Sequence, residues 1–150
     1  MASLFKPNAH NQVPPIVNLF ARYTLGSGML VTPTISLWQS IFTQSGGTNQ
    51  VGTLTISGST YDLKGGRLTA NQIDVEGLFR HGGGDLIAEG VITLRGGSWE
   101  ENVSNASLGQ LQVSGTSTLL LPTNQSSILR FADSHVLAWS KDSTLTIRST

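Results

Sequence analysis

YDLKGGRLTANQIDVEG, Tyr61 to Gly77, is the stretch whose pattern recurs on both sides of it. A large apolar residue opens the unit, an apolar or amide residue follows at +2, and small residues, mostly a glycine pair, stand at +4/+5. Two further apolar positions come at +12 and +14. Outward from Tyr61 the same opening is found at Tyr23 (YTLGSGMLVT), Phe42 (FTQSGGTNQ), Phe79 (FRHGGGDLIAEG), Ile92 (ITLRGGSW) and Leu111 (LQVSGTSTL). From one opening to the next the step is 19, 19, 18, 13 and 19 in turn. A repeat of roughly 20 residues marks units that stack because none buries its apolar face alone. The expected fold is all-β: a parallel β-helix, or β-solenoid, with coils of about 18–19 residues.

The columns give the physical content. Position 0 holds Tyr23, Phe42, Tyr61, Phe79, Ile92 and Leu111, and +2 holds Leu25, Gln44, Leu63, His81, Leu94 and Val113. Polar residues such as Thr43, Asp62 and Arg80 stand between them, so one face of this strand points inward and the other outward. The glycine column reads Ser27-Gly28, Gly46-Gly47, Gly65-Gly66, Gly83-Gly84, Gly96-Gly97 and Gly115-Thr116, as expected of a sharp corner. Ile35/Leu37, Leu54/Ile56 and Ile73/Val75 alternate again at +12/+14, with Val91 next in the +12 column. At about 3.3 Å per residue, such a coil has the contour of a three-sided helix. A β-sandwich with regular turns is the competing architecture, and the matching columns favour the solenoid.

The short step to Ile92 has two readings: a shortened coil, or VITLRGG as the closing strand of the coil begun at Phe79. On the second, Ser98 to Gly109 (SWEENVSNASLG) is an outward loop carrying Trp99, Glu100 and Glu101. These three are the candidate surface-contact residues. Residues 1–22, broken by Pro7, Pro14 and Pro15, read as an N-terminal cap or arm, with Ile16 to Phe20 as a short helix or irregular plug; residues 23–150 are the repeat domain. Alternation continues in Leu129/Phe131, Leu137/Trp139 and Leu145/Ile147, with Trp139 expected in the core. The chain stops after a strand-like run without an evident cap. Such an end suits a piece of something longer or an edge that pairs with another copy.

Composition narrows the functions. The 150 residues carry nine basic and nine acidic side chains, only 12% charged in all, and no basic run, so nucleic acid is not an expected partner. Cysteine is absent, which removes disulfides, thiol catalysis and thiolate metal sites. No apolar run reaches the roughly 20 residues of a transmembrane helix, and no signal peptide is visible at the N-terminus.

FTQSGGTN, YDLKGGRLTAN, the LTIS and IDVEG strands and the late ILRFADSHVLAWSKDSTLTI together resemble bacterial autotransporter-associated β-strand repeats and the repeat-rich exported proteins of the PEP-CTERM type. The resemblance spans roughly Tyr23 to Ile147. It implies a right-handed coil, an extracellular or cell-surface location, and a passenger, adhesive or structural role. The absence of a sorting segment departs from that pattern.

Catalytic readings find little support. Sugar-cleaving β-helices need carboxylates stacked in one column, whereas Asp62, Asp74, Glu76, Asp85, Glu89, Asp133 and Asp142 fall in different ones. His10, His81 and His135 lack ligand spacing; His81 and Gln44 are expected as hydrogen-bonded core residues. RHGGGD, Arg80 to Asp85, lacks the spacing of a phosphate loop and reads as a corner. Thr53 and Thr55 meet Gln72 and Asp74 one coil on, so a threonine ladder for ice fails. Asn102, Asn105 and Asn124 match the N-glycosylation pattern, which a chain rich in Asn and Ser produces by chance. Trp38, Trp99 and Trp139 are candidate sugar-stacking platforms, with Trp99 the favoured one. The expectation is a non-enzymatic surface stalk, adhesin passenger or fibre subunit with no cofactor, self-associating end to end or meeting a glycan or cell-surface ligand. The alternative is a carbohydrate-binding or polysaccharide-degrading β-helix of the phage tail-fibre type.

Overall fold

The computed structural model describes residues 11–12, 17–19, 21–103, 106–123 and 128–149. Among these there is no helix; every strand pairing is parallel, and consecutive coils stack into a β-solenoid of about six turns. The strands are β1 (Asn11–Gln12), β2 (Val17–Leu19), β3 (Arg22–Leu25), β4 (Met29–Trp38), β5 (Ile41–Ser57), β6 (Thr60–Val75) and β7 (Leu78–His81). They continue with β8 (Asp85–Leu94), β9 (Ser98–Glu101), β10 (Ala106–Val113), β11 (Thr116–Leu121), β12 (Leu129–Ala132) and β13 (Thr144–Ser149). The long strands β5 and β6 turn corners without leaving the ladder, so each contributes three faces to its coil.

Face one starts each coil. Its inward column runs Tyr23, Phe42, Tyr61, Phe79, Trp99, Leu119 and Ile147 through the pairings of β3, β5, β6, β7, β9, β11 and β13. Phe42, Tyr61, Phe79 and Trp99 stack ring on ring, with centroids 4.9, 5.5 and 4.2 Å apart. Face two carries Leu30, Asn49, Leu68 and Leu86 in one row. Face three carries Ile35, Leu54, Ile73, Ile92 and Leu111, with Leu37, Ile56, Val75, Leu94 and Val113 beside them. Most of these side chains are almost fully buried, each stabilising the stack by about 1.5–3 kcal/mol.

The interior is not wholly apolar. Tyr61 donates its hydroxyl hydrogen to Gln44 Oε1 at 2.6 Å and accepts from Asn49 Nδ2 at 2.9 Å. Gln44 Nε2 donates to the Arg67 carbonyl one coil on, at 2.9 Å. The hydrogen-bonded Gln44 predicted from its column is therefore found, fully buried. Asn49 Oδ1 has no partner among the described residues.

The first corner requires glycine. Gly28, Gly47, Gly66 and Gly84 all adopt positive φ, at 81°, 66°, 76° and 81°. A Cβ on Gly47 would come within 2.6 Å of the Gly28 carbonyl oxygen, and one on Gly84 within 2.7 Å of the Gly66 oxygen. Both the left-handed conformation and the stacking of backbones at about 4.8 Å exclude a side chain here.

Four expectations are corrected. Ile92 and Leu111 belong to face three, not to the opening column, because β8 and β10 continue coils begun at Phe79 and Trp99. Gly96-Gly97 and Gly115 accordingly mark the corner between faces three and one, where Ser114 N–H donates to the Leu94 carbonyl and Thr118 N–H to that of Gly97. The short step to Ile92 is resolved in favour of the closing strand. The N-terminal arm holds short strands in place of a helix: Val17, Asn18 and Leu19 pair with Ile35, Ser36 and Leu37, and Asn11–Gln12 pair with Leu30–Val31. Pro7, Pro14, Pro15, Ile16 and Phe20 lie outside the described residues.

The last correction concerns the C-terminal coil. After β12, Asp133–Ser143 contains no strand, and Trp139 is 46% exposed instead of buried. This segment lies along face three of β10 through individual bonds: Ser134 Oγ accepts from Leu111 N–H, Trp139 Nε1 donates to the Leu111 carbonyl, and Ser140 N–H donates to that of Val113. These contacts satisfy an edge that a further strand of face three would otherwise occupy, a local cap absent from the sequence reading.

Candidate functional site

Trp99, Glu100 and Glu101 are not in a loop. They form β9, in register with Phe79, Arg80 and His81 of β7. Alternation then sends residues 99 and 101 inward and residue 100 outward. Trp99 is 1% exposed and Glu101 equally buried, so neither presents a contact surface. Only Glu100 of the three faces out.

The inward pair creates an unusual polar centre. Glu101 stands in the column that holds Leu25 and Leu63 in earlier coils, and its Oε1 lies 2.8 Å from His81 Nδ1, both side chains almost wholly enclosed. The approach is at ion-pair distance but off the line of a good hydrogen bond. Trp99 Nε1 donates to Glu101 Oε2 at 3.2 Å and Val103 N–H donates to Oε1 at 3.2 Å. His81 Nε2 lies 3.3 Å from the Gly84 carbonyl. His81 is thus a core histidine with oxygen neighbours at both nitrogens. The polar side chains of this centre turn on one another, an arrangement suited to holding two coils together.

Outside, Arg80 Nε donates to Glu100 Oε2 at 2.8 Å and Asn102 Nδ2 donates to Oε1 at 2.9 Å. Burial opposes ionisation of Glu100, but the bonds from Asn102 and Arg80 and the Arg80 charge outweigh it and hold the carboxyl below its usual range. The Arg80 guanidinium is pushed up in return, first by its bond to Glu100. Lys64 pairs with Asp62 at 3.2 Å and Arg67 with Asp85 at 3.1 Å. Arg95 reaches Asp74 at 3.5 Å, whose other oxygen accepts from Gln72. These four carboxylates therefore face cations or amides of neighbouring positions, while Glu76 accepts from Ser57 Oγ at 2.9 Å. Asp74 meets Thr55 and Thr93 in its column, and Thr53 meets Gln72, so no threonine ladder forms there. Asn105 and Asn124 lie outside the described residues. Among the described residues no group of three His, Asp or Glu side chains is placed to hold a metal ion, and no helix is long and apolar enough to cross a membrane.

The signal for Trp99 was present in the spacing. Openings at 61, 79, 99 and 119 keep a rhythm of 18, 20 and 20, and Trp99 continues an aromatic column. ITLRGG imitated the opening because face three also reads apolar–polar–apolar before a glycine corner.

The class this geometry defines is the parallel β-solenoid, its interior built of ladders of like residues. No family model, curated protein or solved structure matches the chain.

Proposed function

We propose that the chain is a non-enzymatic structural module, an exported β-solenoid acting as a surface stalk, an adhesin passenger or a subunit of an extracellular fibre. The observation that carries this reading is where the reactive side chains go. His81, Trp99 and Glu101 are enclosed against one another, and the carboxylates Asp62, Asp74, Asp85 and Glu100 are paired with Lys64, Arg95, Arg67 and Arg80. These side chains are engaged with one another within and between coils, which suits a rigid spacer. The resemblance to autotransporter-associated repeats supports the extracellular placement. Association between copies, end to end along the stack of coils, is part of the proposal.

Fractionation of native cells, with an antibody to the chain, tests the placement: recovery in surface or extracellular fractions is expected, and recovery only in cytosol overturns it. A screen against acidic and neutral polysaccharides, with and without Ca²⁺, tests the non-enzymatic part. Depolymerisation of any of them would refute it. Sedimentation across a wide concentration range tests association, and a monomer throughout counts against it.

A further inference from the structure

At the corner between faces three and one, near the N-terminal end, the backbone of Gln39 is left-handed, with φ at 44°, the one non-glycine residue of positive φ among those described. The register Trp38↔Ser57 puts Gln39 level with Gly58, whose φ is 55°. One coil thus makes this turn with glycine and the other with a side chain that prefers a different backbone. Gln39 is exposed; its backbone N–H donates to the Ser57 carbonyl at 3.4 Å, while its side-chain amide has no hydrogen-bond partner among the described residues. The corner itself demands the left-handed turn, and a non-glycine residue kept there with its side chain turned to solvent is a pointer to function.

The surroundings give that pointer a chemistry. Gln39 lines a groove of about 490 Å³ with Arg22, Ser40, Ser59 and Thr60. Among the described residues, no carboxylate lies within ion-pair distance of the Arg22 guanidinium, unlike Arg67, Arg80 and Arg95. Ser40 and Ser59 are buried among its lining residues, and Ser59 Oγ is held inside the fold, accepting from Ser40 N–H at 3.0 Å and donating to the Ser57 carbonyl at 2.9 Å. One residue before Gln39 stands Trp38, 54% exposed, its indole N–H without a partner among the described residues. The other two tryptophans are engaged: Trp99 is stacked inside and Trp139 bonds Leu111.

We propose that this corner binds an acidic glycan, with a carboxylated sugar as the recognised unit. An indole face packs against the C–H face of a pyranose ring; a guanidinium grips a carboxylate through two parallel bonds; the Gln39 amide and the Thr60 hydroxyl take up ring hydroxyls. Phosphate polymers are excluded on charge, because a single arginine at this corner, in a chain of zero net charge, does not hold a polyanion backbone. The site is separate from the stalk reading and stands or falls without it.

The test is calorimetric titration of the whole chain with hexamers of galacturonate, guluronate, mannuronate and hyaluronan, each against its carboxyl-reduced counterpart, with tryptophan emission followed in parallel. Saturable binding of at least one acidic hexamer and loss on carboxyl reduction are expected. Arg22→Gln should weaken binding by about tenfold or more, the loss of one charge-assisted contact, and Trp38→Ala should weaken it and abolish the emission change. Gln39→Gly is the discriminating variant: its thermal midpoint should rise as strain is relieved while its affinity falls. No binding of any acidic hexamer, equal binding of the reduced forms, or affinities unaffected by Arg22→Gln and Trp38→Ala would each overturn the proposal.

Discussion

The indole of Trp99 lies 4.2 Å from the ring of Phe79, centroid to centroid, tilted by 23°. It closes a stack of four aromatic rings contributed by four successive coils. Trp99→Ala removes the largest fully buried side chain among the described residues. It should cost about 3–5 kcal/mol, read as a lowered midpoint in urea. In a Trp38→Phe, Trp139→Phe background the remaining emission should be blue-shifted and resistant to acrylamide. Emission typical of an indole in water would place Trp99 outside the stack.

Glu101 accepts from Trp99 and Val103 and faces His81, all within the coil interior. Glu101→Ala leaves these buried donors without an acceptor and His81 without its carboxylate neighbour, and is expected to destabilise by about 3 kcal/mol. Glu100→Ala, which removes only an outward pair, should cost at most about 1 kcal/mol. Equal losses from the two variants would contradict the inward–outward alternation of β9.

Burial raises the Tyr61 phenol well above its ordinary value, with the bond from Asn49 working in the other direction. In the unfolded chain the phenol ionises at about pH 10. Above that pH the unfolded state gives up a proton that the folded state keeps, so stability is unaffected by this group below about pH 10 and declines as pH rises. Urea denaturation from roughly pH 8 to 11 should show a stability loss in the native chain that Tyr61→Phe lacks. Parallel curves for the two proteins would remove Tyr61 from the buried network.

Gly66 has a φ of 76°, and a Cβ there would meet the Gly46 carbonyl carbon at 2.5 Å. Gly66→Ala should cost more than the roughly 1–2 kcal/mol of a left-handed residue alone. Gly58→Ala serves as comparison: φ is 55° but no atom lies within 4 Å of its Cβ, so only the backbone penalty applies. A smaller loss at Gly66 than at Gly58 would mean that the coils do not stack as closely as described.

Alternation and spacing in the sequence were enough to determine an all-β stack of coils, the glycine corner, and the inward Gln44 and His81, because those follow from side-chain periodicity along one strand and from the conformations only glycine adopts cheaply. Which coil Trp99 joins, that Glu101 lies beside His81, that Trp139 is half outside and that Gln39 sits level with Gly58 are all facts of register between strands a full coil apart in the chain. Local pattern is blind to register when two faces of a coil share the same alternation, as ITLRGG and FRHGGG do; only the stacked backbone, by deciding which residue lies over which, separates them.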